Sequence, residues 1–408
     1  MNPPATTPGM LTGIRVLDLT QYLSGPTASL LLAGLGADVI KIEPGPIGDL
    51  ARLLPVVRDG RSSYYIQQNR GKRSVCVDLG KAEGTEIVRD LAVQSDILIE
   101  NFSLGVLDRR GLGADELRAA NPRLIYVSIS TYGRTGSRAA LPGYDLIGQA
   151  AAGSVALTGE PDGAPIAAGV PIADVSAGMM AFGAIGHALF SRTETGEGQF
   201  LDISMVEAVF QMHPFAIQGP SVTEGVKRLR RTGRHFGSVP PAGSYQGPEG
   251  WLVLQVLDAQ WLRLCDAAVS IGLGDDPRFR SSQGRAEHRN ELVDIIEAWM
   301  QTFPNDDALL AHLDAHRVPA GRVVDPADAH LEPWYRERGA LTSVEDDVFG
   351  RVDVPGFPLH GSAIERRETE PPAPLLGQHN HEVLAGVLGY DDARIARLHD
   401  DGVLIGPS

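Results

Sequence analysis

"IRVLDLTQYLSGPTASLLLAGLGADVIKIE", residues 14–43, reads as a strand, a turn, a helix and a second strand. Its first run, 14–20, alternates apolar positions over one strand length. Ser24-Gly25-Pro26 suits a helix start, because proline tolerates a first turn whose N–H groups lack partners anyway. Leucine and alanine then recur at helical spacing until "DVIKIE" (38–43) resumes a strand. The glycines of "AGLGAD" (33–38) imitate half of a dinucleotide fingerprint. They close a helix instead of following a strand, so they do not indicate a nicotinamide site.

The alternation continues outward. "SVCVDL" (74–79), "DILIENF" (96–102) and "LIYVSIS" (124–130) read as strands, and "AEGTEIVRDLAVQS" (82–95) reads as a helix. Strands separated by helices predict an α/β fold, a Rossmann-like doubly wound parallel sheet. Such sheets bind ligands beyond the carboxyl ends of their strands, here near Thr20–Ser24, Glu43–Pro44, Leu79–Gly80, Asn101–Phe102 and Ser130–Tyr132. From about 215 the texture changes. Residues 218–250 are rich in Gly, Pro and charge and read as a linker or active-site loop. "WLVLQVLDAQWLRLCDAAV", "HRNELVDIIEAWMQTF" and "DDALLAHLDAHRV" then predict a smaller α+β middle domain. "VDVPGFPLHGS" reads as a strand and "NHEVLAGVLGYDDARIARLHDDGV" as a final helical pair. The expected organisation is a large domain from 1–217 and 331–408, built from both chain ends, with 218–330 as linker and small domain.

Composition bounds the chemistry. With 408 residues, 43% hydrophobic and 21% charged, the chain has a globular make-up. No apolar run is read as approaching the ~18 residues of a membrane span. "MNPPATTPGM" reads as a short disordered leader, without the basic and apolar regions of a secretory signal. Cys76 and Cys265 stand far apart without metal spacing, which predicts reduced thiols and a cytoplasmic protein. A net charge of −15 argues against nucleic acid as partner and requires local donors for any anionic ligand. His379 and His381 are spaced for no metal motif, and His187 reads as a core histidine. No metal and no prosthetic group is expected, so a carboxylate mechanism gains weight.

"GVPIADVSAG" (169–178) supplies such a carboxylate. Asp174 lies between Ala173 and Val175, and no Lys or Arg occurs between Arg138 and Arg192. Two readings stand: an N-cap for the helix that follows, or a poorly solvated nucleophile or base.

Longer motifs bring in a resemblance. The stretches 16–49, "NRGKRSVCVDLGKAEG" (69–84), "SDILIENFSLGVLDRRGL" (95–112), "GYDLIGQAAAG" (143–153), "GVPIADVSAG", "GEGQFLDISMVEAV" (196–209) and "APLLGQHNHEVLAGVLGY" (373–390) carry it. Together they resemble the class III CoA-transferases, the CaiB/BaiF family that includes the formyl-CoA and crotonobetainyl-CoA transferases. The resemblance implies transfer of CoA between an acyl-CoA and a free carboxylic acid, with CoA as substrate. It makes Asp174 the nucleophile, passing through an aspartyl-acyl anhydride and an aspartyl-CoA thioester. Implied oxyanion donors are main-chain N–H groups near Leu23 or the 176–178 turn. Implied CoA contacts are Leu23 and Ser24, Val77, Asp78 and Leu79 at adenine, Asn101, Phe102 and Ser103, Arg109 at phosphate, and Pro142, Gly143, Tyr144 and Asp145. An interlocked homodimer is implied as well.

Several positions depart from the formyl-CoA enzyme. Its basic contacts fall on Pro44, Gly80 and Pro142, its active-site glutamine on Leu23, and its glycine flap has no counterpart in 235–247. Arg109 with Lys72, Arg73 or Lys81 is left to meet the CoA phosphates. An acid longer than oxalate, resting on Leu23, Phe236 and Trp251, is the expected acceptor. Two alternatives remain. Acyl-CoA racemases of the same family use a histidine where this chain has Tyr144, and a phenol of ordinary pKa near ~10 is a poor base. The other is a CoA-binding protein without turnover.

Overall fold

The structure, a computed structural model, describes residues 9–236, 240–364 and 366–407. Positions 1–8 of the expected leader and 237–239 of the flap stretch lie outside the described residues.

Six parallel strands form the central sheet: β1 (Arg15–Asp18), β2 (Asp38–Pro44), β3 (Arg73–Val77), β4 (Ile97–Glu100), β5 (Ile125–Ser130) and β6 (Phe200–Ser204). Their order is β3-β2-β1-β4-β5-β6, every pair parallel. The order reverses between β1 and β4, and the crevice above that reversal is where doubly wound sheets hold ligands. Strand β6 is absent from the sequence reading. Its "FLDIS" sits on the sheet edge with Phe200 and Asp202 exposed, so it lacks the apolar density of the inner strands.

Alternate residues of each strand enter opposite cores. Leu17, Ile40 and Leu98 join one cluster, with Ile87 and Leu91 and the helical pair Asn380–Leu388 and Asp392–Asp400. Val16, Val39, Ile97 and Ile99 join the other, with Ala28, Leu32, Ala177 and Ile185. Both faces are covered, as a parallel sheet requires. The helices that matter below are α1 (Ser24–Gly34), α2 (Ser63–Asn69), α3 (Ala82–Val93), α4 (Ala114–Ala120), α5 (Asp145–Ala152), α6 (Ile172–Thr195) and α7 (Met205–Phe210).

Helix α6 corrects one expectation: at 24 residues and mean hydropathy 1.3 it is long and apolar enough to cross a membrane. Its alanines and larger apolar residues supply that hydropathy, but Asp, Ser, Gly and His interrupt them, so the stretch does not read as one apolar run. It packs as a core helix, burying Ala173, Ala177, Ala181, Ile185 and Ala188, with Asp174 in its first turn and Arg192 in its last. Its approach to α1 depends on Gly178, where a Cβ would stand 2.5 Å from the Ser24 carbonyl oxygen.

Two compact units emerge: Met1–Ser154, Ala168–Pro214 and Glu332–Ser408 form one, and Val155–Ala167 with Phe215–Leu331 the other. The sequence reading assigns 155–167 to the large domain. In the structure Arg231 binds the carbonyls of Glu160 and Gly163 at 3.1 and 3.0 Å, tying that segment to the smaller unit. The smaller unit has an antiparallel sheet of Ala242–Gln246, Trp251–Gln255 and Ala320–Arg322, packed around Tyr245, Leu252, Trp261 and Ile296. In the larger unit the strand expected over 352–362 is Gly350–Pro355, ending where Gly356 and Pro358 interrupt it.

Candidate functional site

Asp174 is not the N-cap. Helix α6 begins at Ile172 after Pro171, placing Asp174 third in the first turn. The capping acceptor comes from α5: Asp145 Oδ1 takes hydrogen bonds from the N–H groups of Ala173 (2.8 Å) and Asp174 (3.1 Å). Its Oδ2 accepts from Gln149 Nε2 at 2.6 Å. Burial, and next the Asp145 carboxylate, push the Asp174 pKa up to about 6, opposed by a hydrogen bond from the Ser24 hydroxyl. Poorly solvated, repelled by a second carboxylate and held in the first turn of its helix, this carboxyl group changes its protonation close to neutral pH.

The turn after β1 presents Ser24. Asn101, at the end of β4, bridges that turn: its Oδ1 accepts from Gln21 N–H (2.9 Å), and its Nδ2 donates to Gln21 O (2.8 Å) and Ser24 Oγ (3.3 Å). Tyr22 adopts φ of +63°, a left-handed conformation costly for a non-glycine residue. Asp49 holds it there, accepting from Tyr22 N–H at 3.0 Å. Beneath lies a buried ionic cluster. Lys41 Nζ meets Asp49 (2.9 Å) and Thr20 O (2.7 Å), and Lys72 Nζ meets Asp18 (3.0 Å), Ser29 and Asn69. Burial would lower Lys41, but Asp18 and Asp49 outweigh it and hold the ammonium above its ordinary value. Burial brings Lys72 down to about 8 despite Asp18. Breaking one partner in such a cluster leaves a buried charge uncompensated. The cluster therefore stiffens the strained turn.

Ser24 and Asp174 open into a cavity of about 310 Å³ that also includes Asn101, Phe102, Ser103, Pro142, Gly143 and Tyr144. Eight of the expected site residues thus share one space. Gln21, Tyr22 and Thr131, within the strand ends expected to face a ligand, also line it, as does Arg134, which the sequence reading missed. Arg134 pairs with Glu100 at 2.6 Å and donates to Phe102 O at 2.9 Å, bracing the segment after β4. No histidine is among the described residues lining this cavity. Tyr144 is 68% exposed and stands edge-on to Tyr22, ring centroids 5.9 Å apart. Tyr64 on α2 was also missed; after burial, the nearby charges of Asp174 and then Asp49 raise its phenol.

Other expected residues lie elsewhere. Leu23 is buried and lines a different cavity, while Asp145 faces α6. Val77, Asp78 and Leu79 end β3, where Asp78 N–H reaches Val403 O at 2.9 Å and Leu79 O accepts from Arg110. Arg109 is exposed beside Gly105, does not line the Asp174 cavity, and makes no ion pair among the described residues. Lys72 is sealed in the ionic cluster and Arg73 is bound to Asp38 and Glu382, so neither is a free phosphate ligand. Lys81 reaches the Asp401 carbonyl. The N–H groups of 176–178 are spent inside α6. Phe236 and Trp251 belong to the smaller unit, where the Arg234 guanidinium covers Trp251 at 5.3 Å.

The model of CoA-transferase family III matches residues 11–380. Succinyl-CoA:glutarate CoA-transferase of Mus musculus is 33% identical over 97% of this chain and 90% of its own length. Formyl-CoA:oxalate CoA-transferase of Streptomyces coelicolor is 32% identical over 97% of this chain and 99% of its own. Among solved structures, a CaiB/BaiF family protein from Brucella suis superposes with a TM-score of 0.82 at 33% identity, covering 93% of this chain and all of its own.

Proposed function

The chain belongs to CoA-transferase family III, and on that premise we propose that it moves CoA between two carboxylic acids with Asp174 as the covalent nucleophile. Asp174 attacks the donor thioester carbonyl, and CoA thiolate departs to leave an aspartyl-acyl anhydride. The thiolate attacks the aspartyl carbonyl, which frees the donor acid and gives an aspartyl-CoA thioester. The acceptor carboxylate attacks that thioester, forming a new anhydride and thiolate. Thiolate attack on the acceptor carbonyl then releases the new acyl-CoA and restores Asp174. Splitting the transfer lowers each barrier, and retained CoA makes each return attack intramolecular. The N–H groups of Ser24 and Gly25 at the start of α1 are the candidate oxyanion donors.

The observation that carries this reading is the Asp174 carboxylate, raised to about 6, in the same cavity as the expected CoA contacts. Tyr144 and a lining without histidine favour transfer over racemisation. Asn101, Phe102, Ser103, Pro142, Gly143 and Tyr144 hold the pantetheine end in this proposal, Val77, Asp78 and Leu79 the adenine, and Arg109 a phosphate. The test is chemical. Incubation with an acyl-CoA followed by hydroxylamine should leave a hydroxamate on the peptide containing Asp174, found by mass spectrometry and absent from Asp174→Ala. A hydroxamate on another residue, or α-deuterium uptake from heavy water that needs Asp174, overturns the proposal.

We also take the active form to be an interlocked homodimer. Met179, Met180 and Phe190 stand 51%, 41% and 72% exposed along α6, a face that a second copy would cover. Two free, buried cysteines accord with a cytoplasmic setting.

A further inference from the structure

The buried arginines of this chain follow one rule with one exception. Arg52, Arg61, Arg192 and Arg285 each hold a carboxylate, on Glu43, Asp346, Asp96 and Asp258. Arg70, only 5% exposed, holds none among the described residues. Its terminal nitrogens donate to the carbonyls of Gln67 and Pro355, and its Nε–H has no partner. Glu370 is near enough to favour the charge, but forms no ion pair with Arg70 and meets Arg367 at 4.0 Å. A buried guanidinium without a counter-ion is costly, and an arriving carboxylate relieves that cost.

Arg70 lies on the wall of a cavity of about 510 Å³, larger than the one holding Asp174. Two neighbours of the reactive pair also line it: Leu23, which precedes Ser24, and Val175, which follows Asp174. Leu30, Leu31, Met179 and Phe357 give it an apolar wall, and the Arg367–Glu370 pair lines its polar end beside Arg70. Helix α2 connects the two ends. Tyr64 senses the Asp174 charge, and Gln67 and Gln68, a turn further on, line the cavity before Arg70 closes the helix. Six residues of helix rise about 9 Å, a span that an arginine side chain and a few methylenes can bridge.

We propose that this cavity takes the carbon chain of the transferred acid and that Arg70 binds a second carboxylate at its far end, making the enzyme selective for short dicarboxylic acids. The proposal rests on Asp174 as nucleophile for its place in the reaction, but not for binding. The polar end rejects a chain that ends in methyl, because such an acid leaves the buried Arg70 unanswered. The apolar wall supplies area for the methylenes, which oxalate lacks.

Binding and turnover separate the two claims. The full-length protein is titrated calorimetrically with glutarate and with valerate, acids of equal chain length with two carboxylates or one. Glutarate should bind at least about tenfold more tightly, and Arg70→Gln should erase the difference. In exchange assays Arg70→Gln should raise the KM for glutarate at least about tenfold while leaving kcat and the KM for valerate near wild type. Arg70 also ties two carbonyls, so a second variant guards against misfolding: Met179→Trp fills the cavity from the exposed face of α6 and leaves Arg70 in place. It should weaken glutarate binding while the calorimetric affinity for free CoA, which carries no acyl chain, stays at the wild-type value. Selective binding without any transfer sinks the nucleophile reading and leaves the site standing. Equal affinity for the two acids, equal losses on both in Arg70→Gln, or a Met179→Trp protein that changes only oligomeric state overturns the site.

Discussion

Asp174 titrates near 6 instead of its ordinary 3.8, because burial and the Asp145 charge both disfavour its ionised form. The folded chain therefore binds this proton more tightly than the unfolded chain. Stability from that proton is complete below about 3.8 and is lost as pH rises through about 6. At neutral pH the ionised carboxylate costs of the order of 2 kcal/mol after allowance for solvent screening. Asp174→Asn should accordingly melt above the wild type at pH 7.5, with the gap closing by pH 4 in calorimetry; a gap that is constant with pH contradicts the assignment. Asp145 supplies a second test. Asp145→Asn keeps an oxygen for the Ala173 and Asp174 N–H groups but removes the repulsion. The acid limb of kcat/KM should then move to lower pH. A capping role alone would reduce the rate at every pH and leave that limb where it is. Sequence reading could not assign this cap, since Asp174 and its partner Asp145 stand 29 residues apart. The buried Asp18, Lys41, Asp49 and Lys72 cluster was equally illegible, because its members come from separate strands and loops that only the fold brings together.

At the scale of elements, β1, β2, β4 and β5 were legible because inner parallel strands are apolar on both faces and leave dense runs in the sequence, and the edge strand β3 was legible because the C-terminal segment buries it as well. Helix α6 was legible as a helix but began two residues before Asp174, since nothing local marks a start whose acceptor comes from α5. Its crossing with α1 aligns the site. Where Gly178 passes Ser24, a Cβ would come within 2.5 Å of a main-chain oxygen and 2.8 Å of Thr27 Cβ. Backbone cannot give way as a flexible side chain can. Gly178→Val should therefore separate the helices, at about 1–3 kcal/mol in stability, and pull the Ser24 hydroxyl from Asp174. Activity should suffer more than folding: a loss of about a hundredfold in kcat/KM with a melting point only a few degrees lower. A variant that melts normally and turns over normally would show that the crossing does not align the site.

At the scale of the whole molecule, the chain leaves the larger unit at 154 and again at 214, returning at 168 and at 332. The second excursion closes a long circuit, with both ends of the larger unit's chain anchored in one fold. The final helical pair packs on the sheet, where Asn380 Oδ1 accepts from Cys76 N–H of β3 at 2.9 Å and its Nδ2 donates to Ile405 O at 3.0 Å. Opening that circuit means unfolding the sheet's C-terminal cover, not breaking a surface contact. Two such circuits threaded through each other cannot part by diffusion. Ordinary dimers exchange subunits at a rate set by their interface, whereas threaded ones exchange only as fast as the circuit opens. Two populations with different affinity tags, expressed separately and mixed at neutral pH, should therefore form no mixed dimer over days, and should form it only after denaturation and refolding. Dilution should not yield monomer. Mixed dimers within hours, or a monomer that appears on dilution, would mean that the exposed face of α6 meets its partner side by side and that the circuits are not threaded.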